Sequence, residues 1–459
     1  MIQTYERPDL PTRRTWIRLL PLLVPVAWCG VLLAFMRPDA LKARSEIPLE
    51  IKWLVYDETD LGALVIRGAN AHMGRLPGRQ DEPLRDTPED LAARLNGPPQ
   101  AYSDRYYLEY PTATLVVFQL GYWLQPADGP AIPPVVADAE QYAVAHFVPH
   151  TDNERQIWGR LRTAARVLVM VMAAALIGLM LVIGRGYEPT SGSPLPVWLA
   201  ALPGAVFFSL NRFDVVPTLA TALGFACLGR GRPGWSGAFM AVGVLLKVYP
   251  VLFVPILLRY LGPARGGWWL AGFVATVLAG IGISWATLGW EPTIRPVLVQ
   301  LSRPLEETSW TLYGRVLPLE LGHWKWVRLG FLTAIVLAAA ATRPADLTSV
   351  LRRCGVVLTV FVALAVFWSP QWVVWFLPIL IPLATRRRWI IVVAVGLDLA
   401  NYFSFPILFW ILWIRLEEWS LPSVATIMIY VRATLWAGLV IGLLRDEWIA
   451  HRKSRLALG

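Results

Sequence analysis

Lys247 stands in the stretch GVLLKVYPVLFV, residues 243–254, among apolar neighbours and close before Pro250. An ammonium group in hydrocarbon costs roughly 2.5–3.5 kcal/mol on insertion scales, so it must snorkel, pair or line a wet cavity. Lys247 lies about ten residues from either end of its apolar segment. Its stem is too short to snorkel that far unless the helix breaks, and Pro250 favours a break. At such a break a lysine is a mobile point charge suited to a phosphate, with Tyr249 beside it. A second stretch, VYDETDLGALVIRG, sets Asp57, Glu58 and Asp60 before an amphipathic segment. Two readings are open: a general base that takes a proton from a hydroxyl, or a solvated acidic turn that caps a helix. A third, LSRPLEETSWTLYGR, combines Arg303, Glu306, Glu307, Ser309, Trp310 and Tyr313. Rings beside carboxylates and an arginine suit a sugar, whose faces stack and whose hydroxyls need polar partners. The alternative there is an interfacial helix with an aromatic belt.

These groups need a scaffold, and composition names it. Of 459 residues, 56% are hydrophobic and only 16% charged, against about 25% charged in soluble domains. Mean hydropathy is +0.50. Apolar runs of near-spanning length recur at Leu161–Ile183, Trp268–Leu288, Trp389–Phe405 and Val424–Leu444. The expectation is an all-α polytopic membrane protein of about ten to twelve helices, several short or broken, forming one integral domain over residues 1–459. Barrel strands would alternate in polarity over about ten residues instead.

The net charge of +10 sits in short gaps between apolar runs: Arg230 and Arg232, Arg352-Arg353, Arg386-Arg387-Arg388 and the tail Arg445–Arg455. That distribution reads as a topology signal rather than a nucleic-acid surface. Arg13-Arg14 and Arg18 precede an apolar stretch ending at Met36, which predicts an uncleaved first span with a cytoplasmic N-terminus. The loop from Arg37 to Glu109 then lies outside; it carries 13 acidic and 10 basic residues, a net of −3. The basic gaps go inside, and the turn near Asn211–Asp214, the 289–325 loop and Ser369-Pro-Gln-Trp372 go outside. With Arg232 and Arg259 on one side, Trp235–Leu258 must be a hairpin whose tip is Lys247-Val-Tyr-Pro250, since arms of about 12 residues rise only about 18 Å. Thr112–Leu124 is short for a span and Gln125–Arg160 is Pro-rich and polar, of undecided side. Cys29, Cys227 and Cys354 are widely spaced, and neither they nor His72, His146 and His150 have metal-ligand or disulfide spacing. Asp398 and Asn401, within an apolar run, read as helix-packing hydrogen bonders.

Taken in order, several stretches resemble the polyprenol-phosphate-sugar-dependent glycosyltransferases of the GT-C superfold, in particular the bacterial α-mannosyltransferase group of glycosyltransferase family 87. They are TDLGALVIRG, YYLEYP, NRFDVVPTLATAL, RGRPGWSGAFMAVGVLLKVYP, RPLEETSW and SPQW. The sequence departs from the pattern in GRLPGR, which lacks a tyrosine, in the inserted threonine of EETS and in the long 125–160 segment. The resemblance implies a GT-C-like bundle in a bacterial cytoplasmic membrane with its active site on the extracytoplasmic side. The donor would be a polyprenyl-phosphate sugar, mannose or another hexose or pentose, and the acceptor a lipid-linked or cell-envelope glycan. No covalent cofactor is implied. Asp60, with Asp57 as competitor, would be the base of an inverting single displacement. Lys247, Tyr249 and Arg303 would hold the donor phosphate. Glu109, Tyr110, Asn211, Asp214, Glu307, Ser309, Trp310 and Gln371 would contact sugar or acceptor. A secondary transporter or flippase of a lipid-linked or anionic substrate is the competing class, since it too has broken helices and intramembrane charge.

Overall fold

The structure is a computed structural model and describes residues 13–36, 64–65, 68, 111–125, 152–188, 196–302, 324–413 and 422–456. Among them every regular element is helical. In chain order these are α1 (Arg13–Phe35), α2 (Thr114–Trp123), α3 (Asp152–Gly184), a 3₁₀ turn (Val197–Ala201), α4 (Pro203–Asn211), α5 (Val215–Gly229) and α6 (Pro233–Leu246). A second 3₁₀ turn (Tyr249–Phe253) leads into α7 (Val254–Leu288), α8 (Trp290–Ser302), α9 (Trp324–Ala341) and α10 (Leu347–Ala363). A third (Pro370–Phe376) precedes α11 (Leu377–Ala384), α12 (Arg388–Tyr402), the π-helical α13 (Phe403–Trp413) and α14 (Pro422–Leu456). Four described segments are long and apolar enough to cross a membrane, at Gly159–Gly184, Tyr249–Thr287, Arg388–Leu408 and Val424–Arg452. Six further apolar helices are shorter. The polar 289–325 loop expected from the sequence begins with a helix, α8, whose apolar and polar residues segregate to two sides.

The reversal expected at Lys247 is present, and its cause is local. A continuing α6 would need an N–H from Pro250 to bond the carbonyl of Leu246, and proline has none. The helix therefore stops at Leu246, and Lys247 adopts an extended conformation (φ −156°, ψ 123°). The chain returns along α6, with Pro250 against Gly243. It turns again at Gly262, whose φ of +70° only glycine adopts without strain and which Pro263 follows. Beyond that kink α7 runs parallel to α6: Gly272 lies beside Gly234, Trp269 beside Gly237 and Gly280 beside Leu245.

The α6–α7 contact is backbone on backbone. A methyl group on Gly237 would sit 2.0 Å from the carbonyl oxygen of Trp269, and one on Gly272 would sit 2.2 Å from that of Gly234. Small residues allow this approach where lipid offers no hydrophobic drive between helices, and the Trp269 indole N–H donates to Ser236 Oγ at 3.1 Å. Gly237→Ala is expected to push the helices apart and to cost about 1–3 kcal/mol, the usual range for overpacking. Gly267→Ala, on the same α7 with nothing near its Cβ, is expected to leave the melting temperature in detergent unchanged. Equal melting of the two variants would contradict this packing.

The basic gaps gather at one end of the bundle. Arg230 of the α5 end donates to the carbonyl of Gly186 beyond α3, and Arg343 beyond α9 donates to that of Tyr260 near the α7 kink. Arg352 and Arg353 of α10 pair with Glu447 of α14 at 3.1 and 2.9 Å, and Arg387 pairs with Asp446 at 3.0 Å. Lys247 is at the far end of α6 from Arg232, a 14-residue helix and so about 21 Å away. The outward face of α7 carries Trp268, Leu278, Ile283 and Trp285, all exposed, as a lipid-facing surface requires.

Candidate active site

Three interruptions of helix meet around Lys247. The first is the α4–α5 turn, Arg212 to Asp214, in which Arg212 is extended (φ −137°, ψ 149°). Asp398 fixes the start of α4: its carboxylate accepts from the N–H groups of Gly204 and Ala205 at 2.9 and 2.6 Å. That satisfies two of the donors a helix start leaves open. The second interruption is Lys247 itself. The third is Ser369-Pro370, where the residue before proline is driven out of the helical region and the 3₁₀ turn Pro370–Phe376 follows.

Nζ of Lys247 lies 3.3 Å from Oδ1 of Asp214. The same oxygen accepts from the Trp375 indole N–H at 2.7 Å. The ammonium also sits over the rings of Phe213 and Trp375, 4.9 and 5.7 Å from their centroids, an arrangement that favours a cation most where water is excluded. Tyr249 stacks on Trp375 with centroids 4.4 Å apart and planes within 7°, and its hydroxyl lies 3.0 Å from Thr221 Oγ1. The Asp214 carboxylate and the rings of Phe213 and Trp375 thus hold the lysine, and Tyr249 braces the Trp375 ring. Asp214 is 1% exposed and the Lys247 side chain 13%. The second Asp214 oxygen, Oδ2, is buried with no hydrogen-bond partner, which makes removal of the cation costly.

The other residues singled out in the sequence fall in three groups. Tyr249, Asp214 and Lys247 share this cluster, with Asp214 turned to the lysine rather than to an open space. Asn211 is buried and donates to the carbonyl of Phe207 at 3.0 Å; Gln371, also buried, accepts from Arg212 Nη1 at 3.0 Å. Asp57, Glu58, Asp60, Glu109, Tyr110, Arg303, Glu306, Glu307, Ser309, Trp310 and Tyr313 lie outside the described residues. Trp375, Phe213 and Arg212 were not singled out; all three belong to turns already recognised, NRFD and SPQW with its continuation. Arg432 was also missed. It sits inside the Val424–Leu444 run, buried, its guanidinium 3.9 Å over the Trp368 ring, and the cost of a charge in hydrocarbon holds for it as for Lys247.

Residues 144–370 match the family model of glycosyltransferase family 87. This region belongs to that family. The matched stretch runs from before α3 to Pro370, and so takes in Arg212, Asp214, Lys247 and Tyr249. No curated protein matches the chain significantly. The matched region therefore carries the lysine–aspartate pair, and Gln371 and Trp375 follow shortly after it. Asp398 acts as the helix-packing hydrogen bonder expected, whereas Asn401 donates to the Leu397 carbonyl of its own helix at 2.7 Å.

Proposed function

We propose that this membrane glycosyltransferase moves a sugar, mannose or another hexose or pentose, from polyprenyl phosphate to a lipid-linked or cell-envelope glycan on the extracytoplasmic face. The observation that carries the reading is Lys247: a cation at a helix break, held by Asp214 and two rings, with 13% of its side chain exposed, and far from the basic end of the bundle. A donor whose phosphate is tethered to a polyprenyl chain presents that phosphate at the membrane boundary, where such a lysine meets it. The proposed step is a single displacement with inversion. The acceptor oxygen forms a bond to the anomeric carbon while the bond from that carbon to the phosphate oxygen breaks, and both electrons of that bond leave with the phosphate. Asp60, or Asp57, takes the acceptor's hydroxyl proton. Lys247 stabilises the charge that grows on the departing phosphate, with Tyr249 and Arg303 beside it. Asp214 positions the lysine. Glu109, Tyr110, Asn211, Glu307, Ser309, Trp310 and Gln371 are the proposed contacts to sugar or acceptor.

The experiment is incubation of the purified protein with a labelled polyprenyl-phosphate sugar and a panel of glycolipid acceptors. Label is expected in the acceptor, with polyprenyl phosphate released. Movement of the labelled lipid across a vesicle bilayer with no change of chemistry would replace the enzyme by a flippase.

Sidedness has its own test. In a variant without Cys29, Cys227 and Cys354, Arg75→Cys is expected to react with an impermeant maleimide on intact cells. Arg386→Cys is expected to react only after permeabilisation. Labelling of the latter from outside would invert the bundle and move Lys247 to the cytoplasmic face.

A further inference from the structure

The segment Trp368–Trp375 meets a cation at three separate residues: Lys247 at Trp375, Arg212 at Gln371 and Arg432 at Trp368. Only the first is accounted for by the departing phosphate. We propose that Arg212 and Arg432 form a second anion site that holds a phosphate ester of the other lipid substrate, the acceptor. The inference rests on the reading of this region as one that receives lipid phosphates.

The two arginines meet one short stretch, at Trp368 and at Gln371. Arg212 lies over the ring of Phe405, 5.0 Å from its centroid, and Leu408, three residues beyond the kink at Phe405, packs with Trp368 and Ala425. α13 thus bridges the two guanidinium groups. In depth, Arg432 precedes Glu447 on α14 by about four turns, and Glu447 is bound at the basic end. That is about 22 Å at 1.5 Å per residue, close to the separation of Lys247 from Arg232. Arg432 and Lys247 are thus about equally far along their helices from the basic end.

Chemistry favours phosphate over a carboxylate brace alone. A guanidinium whose face is stacked on a ring still offers the N–H groups at its edge, in a planar fork that matches two phosphate oxygens. Arg432 is stacked in this way on Trp368. Ile427 and Val431, on a neighbouring face of α14, are exposed, on a helix apolar enough to span, while Arg432 itself is 3% exposed. An arginine this deep in hydrocarbon marks a pathway or a ligand more often than a surface charge.

The test uses dioctanoyl phosphatidic acid as probe, dioctanoyl glycerol as its phosphate-free control and the full-length protein in a non-ionic detergent. Lys247→Ala is expected to keep a saturable site for the phosphatidic acid and none for the glycerol. Adding Arg212→Gln or Arg432→Gln to it should weaken that site about tenfold or more, the scale of a lost charged hydrogen bond. Arg212→Lys and Arg432→Lys, which keep the charge and relieve a folding defect, should bind with intermediate affinity. Excess inorganic phosphate should fail to displace the probe. Probe binding that survives both glutamine variants, or that Lys247→Ala alone abolishes, overturns the second site. Displacement by inorganic phosphate overturns its lipid-borne ligand. If no polyprenyl-phosphate sugar is turned over while the glutamine variants lose the probe, this site stands and the donor reading falls. Intact turnover with unchanged probe binding upholds the donor reading and removes the second site.

Discussion

Replacing Lys247 with alanine is expected to leave an inserted protein whose turnover falls about 10²–10³-fold, the usual loss when one preorganised partner of a developing charge is removed in a water-poor site. The variant has a second effect that must be separated from the first. It strands Asp214, 1% exposed, without its cation, and breaking a buried pair on one side typically costs about 3–5 kcal/mol. Lys247→Ala combined with Asp214→Asn removes both charges and is expected to recover most of the melting temperature but none of the rate. Asp214→Asn alone keeps the ammonium and an acceptor for the Trp375 indole, so it should lower the rate less than Lys247→Ala. Lys247→Arg should recover only part of the activity, because a rigid fork replaces a compact charge. Initial rates with a labelled polyprenyl-phosphate sugar, beside melting curves in detergent, check all four. Near-normal turnover by Lys247→Ala would reduce the pair to a structural brace.

Asp60→Asn is expected to be folded and close to inactive, down by about 10²–10⁴-fold as general bases typically are. Asparagine keeps the shape of aspartate but cannot take the acceptor's proton. A capping aspartate behaves differently, because asparagine ranks with it at helix starts and such a change would leave the rate intact. Asp57→Asn and Glu58→Gln are therefore expected to keep most activity. A dead Asp57→Asn with an active Asp60→Asn would transfer the role to Asp57. Activity in all three would remove the triplet from the chemistry and turn attention to Glu109, Glu306 and Glu307. Rates at saturating acceptor, read beside binding of the donor, distinguish loss of the base from loss of the substrate.

Some of this architecture was legible in the sequence because a single physical rule forced it. Basic gaps on either side of a segment too short to cross twice required a reversal, and Pro250 placed it at Lys247. Gly262-Pro263 was legible on the same grounds, because it lies between Arg259 and Arg265 in a basic gap and a Gly-Pro pair marks a turn. The partnership of Lys247 with Asp214 was not legible, although both residues were singled out. Nothing in periodicity tells which turn a deep cation faces, and Asp214 was assigned instead to sugar or acceptor. Trp375 was hidden for another reason: in a chain with 23 tryptophans, one more aromatic in an apolar segment carries no signal until its N–H is seen on a carboxylate. Arg432 was missed against the rule that found Lys247, since no proline or polar turn drew attention to it.

The pairing of Asp214 with Lys247 also bears on how the chain enters its membrane. Asp214 heads α5 and Lys247 ends α6, two consecutive short helices, so they leave the ribosome close together, whereas Trp375 emerges much later. The carboxylate and the Phe213 ring precede the ammonium in the chain, so the partners that spare it an unpaired place in hydrocarbon are made before it. Only the wall of Trp375 is made well afterwards.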